Sequence, residues 1–79
     1  MAMLDAHVLY YKPTCGYCAK VLNFMADNDI QCELRNTTDE YYAKELVEVG
    51  GKRQVPCLVI KGEALYESDD IIKYLATQL

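Results

Sequence analysis

A chain of 79 residues leaves room for one domain built around one hydrophobic core, so we expect a single domain over residues 1–79. Hydrophobic residues make up 52% and charged residues 25% of the chain, a balance that argues against disorder. The formal net charge of −4 argues against a nucleic-acid partner, because a phosphate backbone would be repelled.

The first half of the chain predicts a strand, a helix and a second strand. His7 to Lys12 is apolar and aromatic, as in a buried strand. The helix that follows has one apolar stripe at spacings of three and four residues: Cys18, Val21, Leu22 and Met25. This helix is expected to end at Asn28. Residues 31–35 then alternate as a second strand, with Cys32 and Leu34 on one face.

A second helix is predicted after residue 37. Thr37 followed three residues later by Glu40 matches a capping box, which marks a helix N-terminus. The expected buried stripe of this helix is Tyr42, Leu46 and Val49. Gly50-Gly51 supplies the stop, because glycine adopts the left-handed conformation without a steric penalty.

The last third of the chain predicts a hairpin and a final helix. Residues 57–61 and 64–67 form two short strands around a tight turn at Gly62. Ser68 is the expected N-cap of the last helix. The apolar stripe of that helix is predicted to be Ile72, Leu75, Ala76 and Leu79.

The predicted order of elements is therefore β-α-β-α-β-β-α. Helical crossovers imply parallel pairing between strands one and two and between strands two and three, and the hairpin adds an antiparallel edge. An α/β fold follows, with a mixed four-stranded sheet and three helices, which is the minimal thioredoxin-like architecture.

Cys15 and Cys18 lie just after the first predicted strand, at the start of the helix that follows it. The N-terminus has no signal-peptide pattern, so we expect a cytoplasmic location, no membrane partner, and cysteines that are reactive or buried. Unpaired N–H groups and the helix dipole stabilise a thiolate at a helix start, and Lys12 adds a nearby positive charge. The Cys15 pKa should therefore fall below about 8.5, which makes Cys15 the nucleophile and Cys18 the resolving thiol.

Half of a zinc site is the alternative interpretation of a C-x-x-C pair. The other candidate ligands, Cys32, Cys57 and His7, fall on predicted strands, and none forms a second closely spaced pair. Redox chemistry is therefore favoured over a metal site. Cys32 and Cys57 are expected to pack as small apolar side chains.

Four local patterns make the chain resemble the glutaredoxins over nearly its whole length. Lys12-Pro13-Thr14-Cys15-Gly16-Tyr17-Cys18 is similar to the K-x-x-C-P-Y-C active site of that family. Val55-Pro56 resembles its T-V-P segment with a cis proline, and Gly62 its hairpin turn. Ser68-Asp69-Asp70-Ile71 resembles the segment that opens the last helix and binds the glutamyl end of glutathione. The resemblance implies a minimal glutaredoxin fold.

The resemblance also implies a glutathione-binding site beside the cysteine pair, formed by Lys12, Tyr17, Gln54, Val55, Pro56, Ser68 and Asp69. In it Asp69 would accept from the α-ammonium of glutathione, and Ser68 with the free N–H groups of the helix start would bind the α-carboxylate. The Val55 backbone would pair with the extended peptide, and Lys12 and Gln54 would reach the glycyl carboxylate.

The function that the resemblance implies is glutathione-dependent thiol–disulfide oxidoreduction. Cys15 would attack protein disulfides and glutathione mixed disulfides, and Cys18 or a second glutathione would resolve the product. Glutathione would be the reductant, and disulfide-containing or glutathionylated proteins would be the partners. We expect a monomer without a resident metal.

Departures from the family pattern keep other functions open. Gly16 replaces the usual proline, and some glutaredoxins without it hold a [2Fe–2S] cluster between two subunits, with glutathione and Cys15 as ligands. Tyr66-Glu67 replaces the usual Gly-Gly, and the segment Leu65-Tyr66-Glu67-Ser68-Asp69-Asp70-Ile71-Ile72 instead resembles the N-terminal domain of glutathione transferases. Those enzymes add a helical second domain, which we do not expect in this chain, so glutathione recognition would be shared but transferase activity is not expected. A hydrogen donor for ribonucleotide reductase, reduced by thioredoxin reductase, and a non-catalytic glutathione-sensing module are further alternatives.

Overall fold

The computed structural model describes residues 2–79, with side chains from Leu4 onward, and it confirms the predicted order of elements and the thioredoxin-like α/β architecture. The strands are β1 (Ala2–Tyr11), β2 (Ile30–Asn36), β3 (Cys57–Ile60) and β4 (Glu63–Tyr66). The helices are α1 (Gly16–Asp27), α2 (Glu40–Gly50) and α3 (Ser68–Ala76). Within this described part, no helix is long and apolar enough to cross a bilayer.

The four strands form one mixed sheet in the order β2-β1-β3-β4. β1 pairs with β2 in parallel, as predicted, and β3 pairs with β4 in an antiparallel hairpin. The predicted parallel pairing of strands two and three is wrong, because β3 pairs with the other edge of β1 and runs antiparallel to it. Tyr10 at the end of β1 lies opposite Cys57 at the start of β3. This register brings the segment after β1 and the segment before β3 to the same edge of the sheet.

Helices cover both faces of this sheet. α1 and α3 lie on one face over the larger core cluster of Leu9, Val21, Met25, Ile30, Cys32, Leu58, Ile71 and Leu75. α2 lies on the other face, over Tyr10, Leu46, Cys57 and Val59. Both non-motif cysteines, Cys32 and Cys57, are therefore buried in the core, as their packing role predicts.

The hairpin turn and the end of α2 form as the glycines predict. Lys61 and Gly62 connect β3 to β4 with φ angles of 50° and 87°, the positive values that a two-residue hairpin turn requires. β3 ends at Ile60, one residue before the predicted bound, because Lys61 belongs to this turn. Gly51 ends α2 at a φ of 83°, and its N–H donates to the Val47 carbonyl.

The N-termini of α2 and α3 differ from the predictions. Asp39 caps α2 by accepting from the Tyr41 N–H at 3.0 Å. The predicted cap, Thr37, is instead buried, and its hydroxyl donates to the Tyr11 carbonyl at 3.0 Å. The N-cap of α3 is Glu67, and Ser68 is the first residue inside the helix.

Several predicted core positions are exposed. Val49 of α2 lies on the solvent side because Ala43 and Leu46 form the buried face. In α3 the buried stripe is Ile71 and Leu75, so the predicted positions Ala76 and Leu79 face solvent and Ile72 is half-buried. Leu34 shares a face with Cys32 but lies on the edge strand β2, and it is exposed as well.

Candidate functional site

Cys15 immediately precedes α1 and caps that helix with its own sulfur. The N–H of Cys18 donates to the Cys15 Sγ at 3.3 Å, and the N–H of Cys15 donates to the Lys12 carbonyl at 3.1 Å. Cys15 is half-buried, whereas Cys18 is fully buried within α1. One sulfur of the pair thus lies accessible at the positive end of a helix dipole, and the other lies behind it.

The surroundings of the two thiols push their pKa values apart. Burial raises the pKa of the Cys15 thiol, but hydrogen bonds from the Cys18 thiol and from the Cys18 and Tyr17 N–H groups, with the charge of Lys12, bring it below its usual value. Burial, together with the neighbouring Cys15 sulfur, raises the pKa of Cys18 to about 11. Cys15 is thus the thiol that ionises first, while Cys18 stays protonated near neutral pH.

A groove of about 490 Å³ opens beside Cys15 and is lined by Tyr17, Gln54, Val55, Pro56, Glu67, Ser68 and Asp69. The Val55 carbonyl lies 4.0 Å from the Cys15 Sγ, so the thiol lies next to a residue that lines the groove. The Val55–Pro56 peptide bond is cis, as the sequence pattern suggested. The groove brings together all the sequence-predicted ligand residues except Lys12, whose charge lies near the two sulfurs instead. Their individual ligand roles stay predictions.

Glu67 belongs to this groove although the sequence analysis did not place it there. Its φ of 70° is unusual for a residue other than glycine and costs about 1–3 kcal/mol. Its carboxylate accepts from Gln54 Nε2 at 3.3 Å across the groove. The departure of Tyr66-Glu67 from the glutaredoxin Gly-Gly was the available signal, because an acidic side chain there adds a charged group beside Ser68.

Asp69, in the first turn of α3, reaches back to α1. Its carboxylate forms an ion pair with Lys20, and this contact lowers the pKa of Asp69. Lys20 lies two residues after Cys18, so this pair joins the helix that carries the cysteines to the helix that borders the groove.

A second cavity, of about 440 Å³, lies between α1 and the edge strand β2 and contains the side chain of Cys32. Burial raises the pKa of Cys32 to about 11, so this thiol is poorly suited to attack a disulfide at neutral pH. The cavity contains neither Cys15 nor Cys18. The groove beside Cys15 is therefore the candidate site, and this cavity is not.

The described residues contain no group of three His, Cys, Asp or Glu side chains placed to hold a metal ion. Cys15 is partly exposed, and the other three cysteines are buried. Because a [2Fe–2S] cluster takes four thiolate ligands, one copy of this chain would supply only one of them. The cluster hypothesis thus requires a second copy and glutathione, and it stays a prediction.

The sequence profile described as "Glutathione S-transferase, N-terminal domain" matches residues 9–78. The chain belongs to this family. No curated protein matched the sequence of this chain.

Solved structures share the fold of this N-terminal domain. A delta-class glutathione transferase from Nilaparvata lugens is 28% identical, with a TM-score of 0.75 over 91% of this chain and 35% of that one. A glutathione S-transferase from the Antarctic clam Laternula elliptica is 22% identical, with a TM-score of 0.77 over 94% and 35%. The holo form of glutaredoxin C1 from Populus tremula x tremuloides is 18% identical, with a TM-score of 0.70 over 91% and 75%.

These similarities confirm the thioredoxin-like superfamily, but they do not single out the glutaredoxins. The family match is to the transferase N-terminal domain, which the Leu65–Ile72 segment resembled, whereas the glutaredoxin shares the fold. The chain spans about a third of the length of the transferases that it matches.

Proposed function

We propose that this chain is a glutathione-dependent thiol–disulfide oxidoreductase in which Cys15 is the nucleophile and Cys18 the resolving thiol. The observation that supports this most strongly is the position of the Cys15 Sγ. It caps α1, has a lowered pKa, and lies 4.0 Å from the Val55 carbonyl at the mouth of the groove. A nucleophilic sulfur and a peptide-sized groove therefore share one edge of the sheet.

The proposed first step is attack of the Cys15 thiolate on the glutathionyl sulfur of a mixed disulfide. A new S–S bond joins Cys15 to glutathione, the original S–S bond breaks, and the substrate leaves as a thiolate that takes a proton from solvent. The N–H groups of Cys18 and Tyr17 hold the attacking thiolate in place before the reaction. The protein is then a mixed disulfide with glutathione.

Two alternative routes can resolve this mixed disulfide. A second glutathione thiolate can attack the glutathionyl sulfur, which releases oxidised glutathione and the Cys15 thiolate. Alternatively, Cys18 loses its proton to solvent and attacks the Cys15 Sγ, which forms the Cys15–Cys18 disulfide and releases the glutathione thiolate. Two further glutathione molecules then reduce that disulfide to the two thiols and leave as oxidised glutathione. Cys18 is fully buried with a pKa of about 11, so it suits this internal step and not attack on external substrates.

The groove suits an extended peptide with charged ends. The Val55 backbone supplies a strand-like edge beside the thiol, and Asp69 with Ser68 lies at the N-terminus of α3. Free N–H groups and the dipole at a helix start favour a carboxylate, while Asp69 favours an ammonium group. The γ-glutamyl end of glutathione carries both groups on one carbon.

The test is reduction of a mixed disulfide between glutathione and a small thiol, coupled to glutathione reductase and NADPH. We expect turnover that Cys15→Ser abolishes and that Cys18→Ser retains, because a second glutathione resolves the intermediate without Cys18. Cys32→Ala is the matched control and should leave the rate unchanged, since Cys32 lies in the other cavity. Loss of this activity in folded Cys18→Ser would overturn the division of roles.

A second candidate, glutathione conjugation, is favoured by the family match to the transferase N-terminal domain. In that chemistry the groove would hold glutathione as a thiolate, and an electrophile bound next to it would be attacked. An aryl halide assay separates the two candidates. Conjugation without mixed-disulfide reduction would favour the transferase reaction, and the reverse result would favour the oxidoreductase.

A further inference from the structure

The Lys20–Asp69 ion pair links the cysteine-bearing helix α1 to the groove, and the proposed function has not used it. Lys20 Nζ bonds to Asp69 Oδ1, and Asp69 lines the groove. The side chains of Lys20 and Asp69 are 52% and 74% exposed. An ion pair this exposed stabilises a protein little, so a ligand can open it at small cost.

The charged side chains that line the groove are both negative. The residues that line it include the carboxylates Glu67 and Asp69 but no lysine or arginine. A zwitterionic ligand end would find a partner for its ammonium group there, but only the helix N-terminus for its carboxylate. Lys20 forms an ion pair with one of these two lining carboxylates, that of Asp69.

We propose that Lys20 is a specificity-determining residue that selects ligands with a free α-carboxylate at the glutamyl end. This inference rests on the proposed function. On binding, the α-ammonium of the ligand takes over Asp69, and the released Lys20 ammonium pairs with the α-carboxylate. The ligand zwitterion thus replaces one ion pair by two, and Lys20, Asp69 and both charges of the ligand end each have a partner. A ligand lacking the carboxylate would release Lys20 without giving it a partner.

Lys73 provides the matched control for this proposal. It lies four residues after Asp69 on α3, and its charge also lowers the pKa of Asp69. The ion pair of Asp69, however, is with Lys20. Lys20→Gln and Lys73→Gln therefore remove the same charge near the same carboxylate, and only the first removes the proposed partner of the ligand carboxylate.

The experiment is isothermal titration of the reduced protein with S-methylglutathione and with its analogue that lacks the α-carboxylate. We expect the wild-type protein to prefer S-methylglutathione, and Lys20→Gln to lose roughly threefold of that preference, the affinity change of one exposed ion pair. Lys73→Gln should keep the wild-type preference. Circular dichroism establishes that both variants are folded.

The outcomes separate this inference from the proposed function. An unchanged preference in Lys20→Gln, or an equal loss in both variants, would overturn the role of Lys20 while leaving the oxidoreductase intact. Tighter binding of S-methylglutathione by Lys20→Gln would also overturn it, because Lys20 would then only compete for Asp69. Absence of binding to the wild-type protein, together with absence of mixed-disulfide reduction, would remove the proposed function itself.

Discussion

The sulfur of Cys15 acts as a helix cap, so replacing it by serine and by alanine should affect stability differently. Serine retains an acceptor for the Cys18 N–H that Cys15 Sγ accepts at 3.3 Å. Alanine leaves that N–H without its acceptor at the start of α1. Replacing a serine cap by alanine costs about 1 kcal/mol, within a range of about 0.5–2 kcal/mol. Both variants lack the nucleophile, so activity cannot distinguish them.

The assay is urea and thermal unfolding of both variants under reducing conditions, followed by circular dichroism. A difference of about 1 kcal/mol corresponds to a midpoint difference of about 4–8 °C in a domain of this size, with Cys15→Ser the more stable. The control pair is Thr14→Ser and Thr14→Ala, one position earlier and outside the cap, which should unfold together. Equal stability of the two Cys15 variants would refute the capping role of the sulfur.

Three further predictions follow from the same geometry. Gly16→Pro should raise the free energy of unfolding by about 0.4–1 kcal/mol. Gly16 is the first residue of α1, a Cβ there would have no neighbour within 4 Å, and Cys15 before it is already extended. A lower urea midpoint would contradict this prediction. Gly50→Ala should cost about 1–3 kcal/mol of unfolding free energy, because its Cβ would overlap Tyr66 Oη, and the cost should shrink in a Tyr66→Phe background. The rate of Cys15 alkylation should be half-maximal at a pH below the usual thiol pKa, and Lys12→Gln should move that midpoint to higher pH, whereas Cys18 should react only as the pH approaches about 11.

The lowered pKa of Cys15 also gives a pH dependence of stability for the reduced protein. A thiol whose pKa is lower in the folded state contributes stability that is present above its unfolded pKa and is lost as the pH falls through the folded pKa. Cys18, with its pKa raised to about 11, contributes stability that is present below the unfolded thiol pKa and is lost as the pH rises through about 11. Cys15→Ser should therefore remove the increase in unfolding free energy as the pH rises through the folded Cys15 pKa. It should leave the decrease as the pH rises through about 11, which belongs to Cys18.

The sequence could predict most of the site because its parts are local patterns at the ends of elements. The C-x-x-C pair at a helix start, Val55-Pro56 before β3 and Ser68-Asp69 at α3 each carry their own signal. Their convergence on one groove depends on β3 pairing antiparallel with β1. That pairing depends on residues far apart in the sequence, because a crossover through α2 allows β3 to pair with either β2 or β1.

The misplaced details are those that depend on tertiary packing. The capping-box pattern predicts Thr37 as the N-cap of α2. In the structure the Thr37 hydroxyl donates to the Tyr11 carbonyl instead, and Asp39 caps the helix. Ile71 and Ile72 are both apolar, so the pattern alone does not show which of them faces the core. It predicts Ile72, whereas the structure buries Ile71. Glu67 was missed because no local pattern signals a positive φ at a glutamate.

The central claim is that the Cys15 thiolate forms a mixed disulfide with glutathione bound in the adjoining groove. The most direct measurement is intact-mass and peptide analysis of Cys18→Ser after exposure to oxidised glutathione, because this variant cannot resolve the adduct internally. We predict one glutathionyl group per chain, located on Cys15, with slower formation when Asp69→Asn is added. No adduct in the folded protein, or an adduct on Cys32 or Cys57 instead, would contradict the account.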